Sequence, residues 1–318
     1  MKTKNLIILM IFGSYPLLAD CLIKKDPPDF WPRFQRGIQT GELSSMDFHP
    51  RLQQITPQIF RGAVNRLKEI VGEPFEVSLS AHYELGASGE PLVCPGDESF
   101  SVRRLPGYER QMVLWIGLFG EKDLGRLFIH LVGGGDNRWQ IGIFHGQKWT
   151  QNSLDAQAFW GRAQKSGPAQ AYLESFLGEK LLQGGGRFYS FPLATEIKTW
   201  RERSAPYGKA LEELRGILKG GLPLEAMEPL FASRGGIGLR FRVKKEESTV
   251  FLREHCTGEL AQLQKTGWFS YKGLRCSYLL PGENPDREGQ LGSLWVSAPD
   301  VSQRGFLGGF LRRFVERS

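Results

Sequence analysis

Thr56-Pro57-Gln58-Ile59-Phe60, running on through Val64, Leu67 and Val71 to Gly72, is followed at once by Phe75-Glu76-Val77-Ser78-Leu79-Ser80-Ala81-His82-Tyr83-Glu84. Within this stretch the hydrophobic period changes from 3.6 residues to 2. Thr56 suits the capping position and Pro57 the first helical position, where its missing N–H costs nothing. Phe60, Val64, Leu67 and Val71 then recur at helical spacing until Gly72 stops the run. The residues from Phe75 to Tyr83 alternate apolar with polar, which predicts a half-buried strand with His82 and Glu84 on its water side. A capped amphipathic helix running straight into an amphipathic strand predicts an α+β fold.

Working outward toward the C-terminus, a Gly- and Pro-rich stretch from Gly86 to Gly96 precedes apolar segments at 112–119, 127–132 and 139–144. The last two flank Gly133-Gly134-Gly135-Asp136-Asn137, a hairpin turn by composition. These glycines lead into a strand, not into the helix whose first amides a phosphate loop would need. Regular alternation about that turn places Leu127, Ile129, Leu131, Trp139, Ile141, Ile143 and His145 on one face, with Phe128, His130, Gln140 and Phe144 on the other. His145 is then the titratable group at the mouth of any pocket between helix and sheet.

From Ser153 the pattern becomes helical, with a short helix at Ala158, Phe159 and Ala163 and a longer one from Pro168 to the glycines at 184–186. Residues 153–186 are expected to be a helical connector. Beyond it, 194–318 reads as a second, small α+β domain. It opens on a helix from Thr195 to Lys219, followed by an antiparallel sheet with strands near Ile237–Val243, Thr249–Arg253, Trp268–Tyr271, Leu274–Leu280 and Leu291–Ser297. A final amphipathic stretch, Phe306 to Phe314, is expected to dock on that domain.

Toward the N-terminus, Lys2 and Lys4 precede the apolar run Leu6–Phe12, and Gly13, Ser14 and Pro16 interrupt it before Ala19. That layout is a secretory signal peptide over residues 1–19, too short and broken for a spanning helix. Two addresses follow. Cleavage after Ala19 releases a secreted or periplasmic chain. Alternatively, Leu18-Ala19-Asp20-Cys21 resembles a bacterial lipobox, with Asp20 where that box has a small residue, and lipid on Cys21 would hold the chain at a membrane surface. The four cysteines are Cys21, Cys94, Cys256 and Cys276. Spacing makes Cys256 with Cys276 a candidate bridge, and the free or bonded state of Cys94 tells the two addresses apart.

The 318 residues are enough for two cores, and 41% hydrophobic with 24% charged residues is an ordinary globular composition. The net charge of +7 is dispersed, and Arg240-Phe241-Arg242-Val243-Lys244-Lys245 reads as a strand with a basic solvent face, so no nucleic-acid partner is expected. There is no Cys-x-x-Cys, no Gly-x-Ser-x-Gly and no His-Glu-x-x-His. No catalytic residue, metal or cofactor is assigned.

The order of a capped helix, a tight exit and a curved antiparallel sheet, with Phe48-His49-Pro50-Arg51-Leu52 leading into Thr56-Pro57, resembles the nuclear-transport-factor-like superfamily, in particular its small secreted bacterial members. The likeness covers about residues 30–150. It implies a helix-covered sheet with a pocket between the layers, for which His145, Trp139 and Tyr83 are the lining candidates, and pairing of two chains through the sheet. The function expected from these observations is an exported non-enzymatic binding or accessory protein of the cell envelope, with a small apolar ligand or an envelope protein as partner. The alternative is a small-molecule isomerase or hydrolase using the cone.

Overall fold

The computed structural model describes residues 21–24, 27–44, 47–50, 56–86, 92–94, 100–133, 138–151, 153–183, 188–230, 236–266, 273–286 and 291–297. Residues 1–19, read above as a signal peptide, the stretch 268–271 and the stretch 306–314 lie outside the described residues. The fold is α+β.

The chain begins with β1 (Cys21–Lys24) and α1 (Trp31–Thr40), then α2 (Pro57–Val71) and β2 (Phe75–Leu85). Thr56 caps α2 by accepting the amide of Ile59 at 3.3 Å, Pro57 opens the helix, and Gly72 closes it with φ at 85°. Two short strands follow, β3 (Leu92–Cys94) and β4 (Phe100–Val102), before three long ones: β5 (Gln111–Gly120), β6 (Leu124–Gly133) and β7 (Trp139–Lys148). The main sheet is antiparallel in the order β1-β2-β5-β6-β7.

One face of this sheet packs on α1 and α2. Phe34, Ile38, Phe60, Val64 and Val71 from the helices and Leu114, Ile116, Leu127, Ile129 and Ile141 from the strands are fully buried there. The space that the sequence offers for a pocket is filled. Phe48 meets Phe60 edge-on at 5.9 Å, and Phe60 meets Phe144 at 5.1 Å. Each such side chain contributes roughly 1.5–3 kcal/mol on burial.

The opposite face is buried too, so every residue from Gln111 to Leu118 in β5 is enclosed. Two β-bulges decide which side chain looks which way. In β2 the register shifts between Leu79 and Ala81, leaving Ser80 exposed. Val77 and Leu79 pair with Leu118 and Ile116 on the helix face, whereas Ala81 and Tyr83 pair with Trp115 and Val113 on the other. His82, expected in water, is therefore buried opposite Leu114.

In the β6–β7 hairpin the shift falls between His130 and Leu131 and skips Gly142. Phe144 thus faces the helices opposite Ile129, and Ile143 and His145 face away from them, opposite His130 and Phe128. The regular alternation about the turn is reversed over this end of the strand. A Cβ on Gly142 would lie 2.7 Å from Leu105, so glycine is what lets the bulge close on its neighbour.

Against the second face lie α3 (Ala156–Ala163), α4 (Pro168–Leu182), β8 (Tyr189–Ser190), α5 (Pro192–Ser204) and α6 (Tyr207–Ile217). β3, β4 and β8 form a small separate sheet. The helix expected over 195–219 is two helices, because Pro206 cannot continue α5 and instead opens α6. α4 is buried almost all round, including Leu173, Leu177, Leu181 and the carboxyl-bearing Glu174 and Glu179. What reads as a connector is the middle of a hydrophobic cluster that runs from Val113, Trp115 and Phe128 through Leu173 and Leu177 to Leu239 and Phe241. The sheet face offered by the sequence to a second chain is covered by this chain's own residues.

The C-terminal sheet has the order β12-β11-β10-β9, built from β9 (Leu224–Leu230), β10 (Gly236–Arg242), β11 (Gly273–Leu279) and β12 (Ser293–Ser297), with α7 (Thr249–Lys265) between β10 and β11. It is mixed and not purely antiparallel: β10 and β11 are parallel, as a helical crossover requires. The strand expected at Thr249–Arg253 is the first turn of α7. Ser248 caps it by accepting the amide of Phe251 at 3.2 Å, and Leu252, Cys256, Leu260 and Leu263 form its buried face. Thr249, Val250 and Phe251 look strand-like by residue type, but all three stand exposed at the start of the helix.

Two disulfides close the structure. Cys21 on β1 is bonded to Cys94 on β3, and Cys256 on α7 to Cys276 on β11. A sulfur bonded to Cys94 has no valence left for a thioether, so a lipid-bearing Cys21 would require this bridge to be open. Two bridges fit an oxidising environment. Among the described residues, no helix is long and apolar enough to cross a membrane.

Candidate functional site

The three residues proposed from sequence to line a pocket do not share one. Trp139 stands at the start of β7 on the helix face, with the Arg110 guanidinium 4.9 Å from its ring. Tyr83 and His145 are on the opposite face, Tyr83 buried and edge-on to Phe100 at 5.3 Å, His145 half-buried. His145 and Trp139 are six residues apart along the strand, about 20 Å.

His145 nevertheless leads to a site. Its Nε2 and the Gln147 Oε1 are 3.1 Å apart, and Gln147 donates to the carbonyl of Leu181, at the end of α4, at 2.9 Å. Arg126, fully buried on β6, donates to the same carbonyl at 2.8 Å. Its guanidinium lies 4.4 Å from the Phe191 ring and within 6.0 Å of Trp115, Phe128 and Trp149. Burial, partly offset by Gln147 and reinforced by the positive Arg126, holds the His145 pKa below its ordinary 6.5. His145 is therefore a neutral imidazole at pH 7 that braces this junction.

Beside the junction is a cavity of about 370 Å³, walled by Glu179, Leu182 and Gln183 from α4, by Tyr189, Ser190 and Phe191, and by Ala194, Thr195 and Lys198 from α5. Tyr189 stacks on Phe128 with ring centroids 5.0 Å apart. Its hydroxyl is buried and has no hydrogen-bond partner among the described residues. Burial pushes the phenol far above its ordinary 10, so the O–H stays a donor at any working pH.

The remaining wall has a polarity. Phe191, Ala194, Thr195 and Lys198 lay one flank of α5 along the cavity, and no side chain caps the start of that helix. Lys198 adds an ammonium group at the rim. Glu179 is the opposing charge, but Arg201 holds its carboxylate at 2.5 Å and Gln183 donates to its other oxygen. Leu182, Ala194 and Phe191 supply apolar surface. The arrangement suits an acidic head group with an apolar body.

None of the cavity residues was singled out by the sequence. The available signal was Phe188-Tyr189-Ser190-Phe191-Pro192, three aromatics ahead of a helix-opening proline, together with Glu179 inside an otherwise apolar helical run. No protein-family model, no curated protein and no solved structure matches this chain.

Proposed function

We propose that this is an exported, non-enzymatic binding protein of the cell envelope that takes a small molecule with a carboxylate head and an apolar body into the cavity at Tyr189. The observation that carries this reading is the hydroxyl of Tyr189, a residue of the cavity wall: a permanent buried donor without an acceptor among the described residues. Such a group costs roughly 1–3 kcal/mol until something accepts from it. Lys198 supports an anionic acceptor, and Phe191 and Leu182 support an apolar remainder. A volume of about 370 Å³ is at the small end of the range for ligand sites.

Export is supported by the basic and apolar layout of residues 1–19 and by two disulfides. The succession of α1, α2 and a bulged antiparallel sheet supports the nuclear-transport-factor-like reading of the N-terminal half, although its helix-side space is filled by Phe34, Phe48 and Phe60. That filling favours binding at Tyr189 over catalysis in a cone.

Thermal shift and calorimetry with hexanoate, benzoate and phenylacetate, each against its neutral primary amide, test the reading. Saturable binding of the acids, weakened about tenfold in Tyr189→Phe by loss of one hydrogen bond to a charged group, is the expected result. Equal binding of acids and amides, or acid binding unaffected by Tyr189→Phe, would overturn it.

A further inference from the structure

A second cavity, of about 330 Å³, shares no wall residue with the Tyr189 site. Its wall is Lys219 and Gly220 from the loop after α6, and Phe251, Glu254, His255, Gly258, Glu259 and Gln262 from α7. His255 and Glu259 are one helical turn apart, with side chains 3% and 2% exposed.

The hydrogen bonds around His255 define its tautomer. Tyr278 on β11 donates its hydroxyl proton to the carbonyl of Leu252 at 2.6 Å. The Tyr278 oxygen is 3.1 Å from Nδ1 of His255, so it accepts there and Nδ1 carries the hydrogen. Nε2 is then a bare lone pair. It is buried, has no hydrogen-bond partner among the described residues and stands 3.5 Å from Oε1 of Glu259. Two acceptors side by side hold no proton between them unless one is supplied.

Among the described residues Glu259 accepts hydrogen bonds from backbone amides, Gly220 donating to Oε1 at 2.7 Å and Lys219 also contributing. A carboxylate buried to this extent is ordinarily matched by a cation. Among the described residues the one ionisable side chain within ion-pair distance of it is His255, which burial keeps below its ordinary 6.5 and hence neutral. Burial also lifts Glu259 above its ordinary 4.5, the amides opposing. The bridge from Cys256 to Cys276 holds α7 against β11 next to the His255–Tyr278 contact.

We propose that this cavity binds a small primary ammonium ion, which donates to His255 Nε2 and to the Glu259 carboxylate. The remaining wall agrees with a cation over an anion. Glu254 adds a second carboxylate and Phe251, 41% exposed, apolar surface, against the cationic Lys219. Gly220 is what lets the loop lie against the pair: a Cβ there would stand 2.7 Å from Nε2 and against Oε1 of Glu259.

The test is a titration of the full disulfide-bonded protein with ethylammonium chloride and with 1,4-butanediammonium chloride, read on the imidazole nitrogen resonances of His255. Ethanol, sodium acetate and zinc chloride serve as matched probes. Both ammonium ions are expected to shift Nε2 saturably, and ethanol and acetate to leave it in place. Glu259→Gln keeps the contact with Gly220 and is expected to weaken ammonium binding about tenfold or more. Gly220→Ala is expected to abolish it, with the melting temperature showing that the variant is folded. Absence of an ammonium-dependent shift, an equal response to ethanol, saturation by zinc alone, or undiminished binding in Glu259→Gln would each overturn the proposal.

Discussion

Arg126 on β6 donates from Nη2 to the main-chain carbonyl of Leu181 at the end of α4, at 2.8 Å, and so pins the buried face of the main sheet to the central helix. The arginine has no exposed surface and is wrapped by Trp115, Phe128, Trp149 and Phe191. Stacking against four aromatic faces offsets part of the cost of burying a guanidinium.

Replacing it tests that account. Arg126→Ala removes a large buried side chain together with one of the two donors to Leu181, Gln147 being the other. A loss of about 3–5 kcal/mol in urea unfolding is expected. A loss under about 1 kcal/mol would show that the junction does not depend on this residue.

Tyr189→Phe should act in the opposite direction on the free protein. The stacking on Phe128 is kept and a hydroxyl without an acceptor is removed. Stability is expected to stay level or to rise by up to about 1–2 kcal/mol while acid binding falls. Destabilisation by more than about 1 kcal/mol would mean that the hydroxyl has a partner in solution.

The two bridges should differ in weight. Cys21 and Cys94 are 73 residues apart in sequence, Cys256 and Cys276 only 20. Restriction of the unfolded chain predicts a loss of about 4 kcal/mol for Cys94→Ala and about 3 kcal/mol for Cys276→Ala. Intact-mass analysis of the mature chain is expected to find no reactive thiol, in contrast to a lipid-bearing Cys21, which would leave Cys94 free.

Acid should destabilise the fold through its buried histidines. His130 donates from Nε2 to Gln111 at 2.8 Å, and burial, with help from Arg104, pushes its pKa down to about 3. The unfolded chain takes up a proton near pH 6.5 and the folded one does not, so stability is fully present above 6.5 and falls as pH drops from 6.5 toward 3. The slope is about 1.4 kcal/mol per pH unit for this group. His130→Gln keeps a donor to Gln111 and cannot titrate, so its stability curve between pH 6 and 4 should be shallower by about that amount. Identical slopes in chemical denaturation would refute the assignment.

The helix at Pro57–Val71 and the start of the strand at Phe75 were legible because capping, proline placement and periodicity act within one element. The bulges at Ser80 and Gly142 were not. They arise where β2 meets β5 and where β6 meets β7, and each inverts the facing of the residues beyond it. His82 and His145 were therefore assigned to the wrong sides by a rule that holds only for unbroken alternation. The start of α7 was missed because Thr249, Val250 and Phe251 have strand-like side chains, whereas the cap at Ser248 and the buried row from Leu252 to Leu263 outweigh them.

The amino-acid sequence alone determined the α+β class and the position of several of the elements, which follow from chemistry local to a few residues. Tertiary structure decided the rest: that residues 156–182 lie at the centre of the core, that β10 and β11 run parallel, and that Tyr189 and His255 each reach a cavity. Those outcomes depend on which surfaces meet. A hydroxyl or an imidazole is an ordinary polar group until neighbours distant in sequence bury it, take one of its hydrogen-bonding atoms and leave the other without a partner.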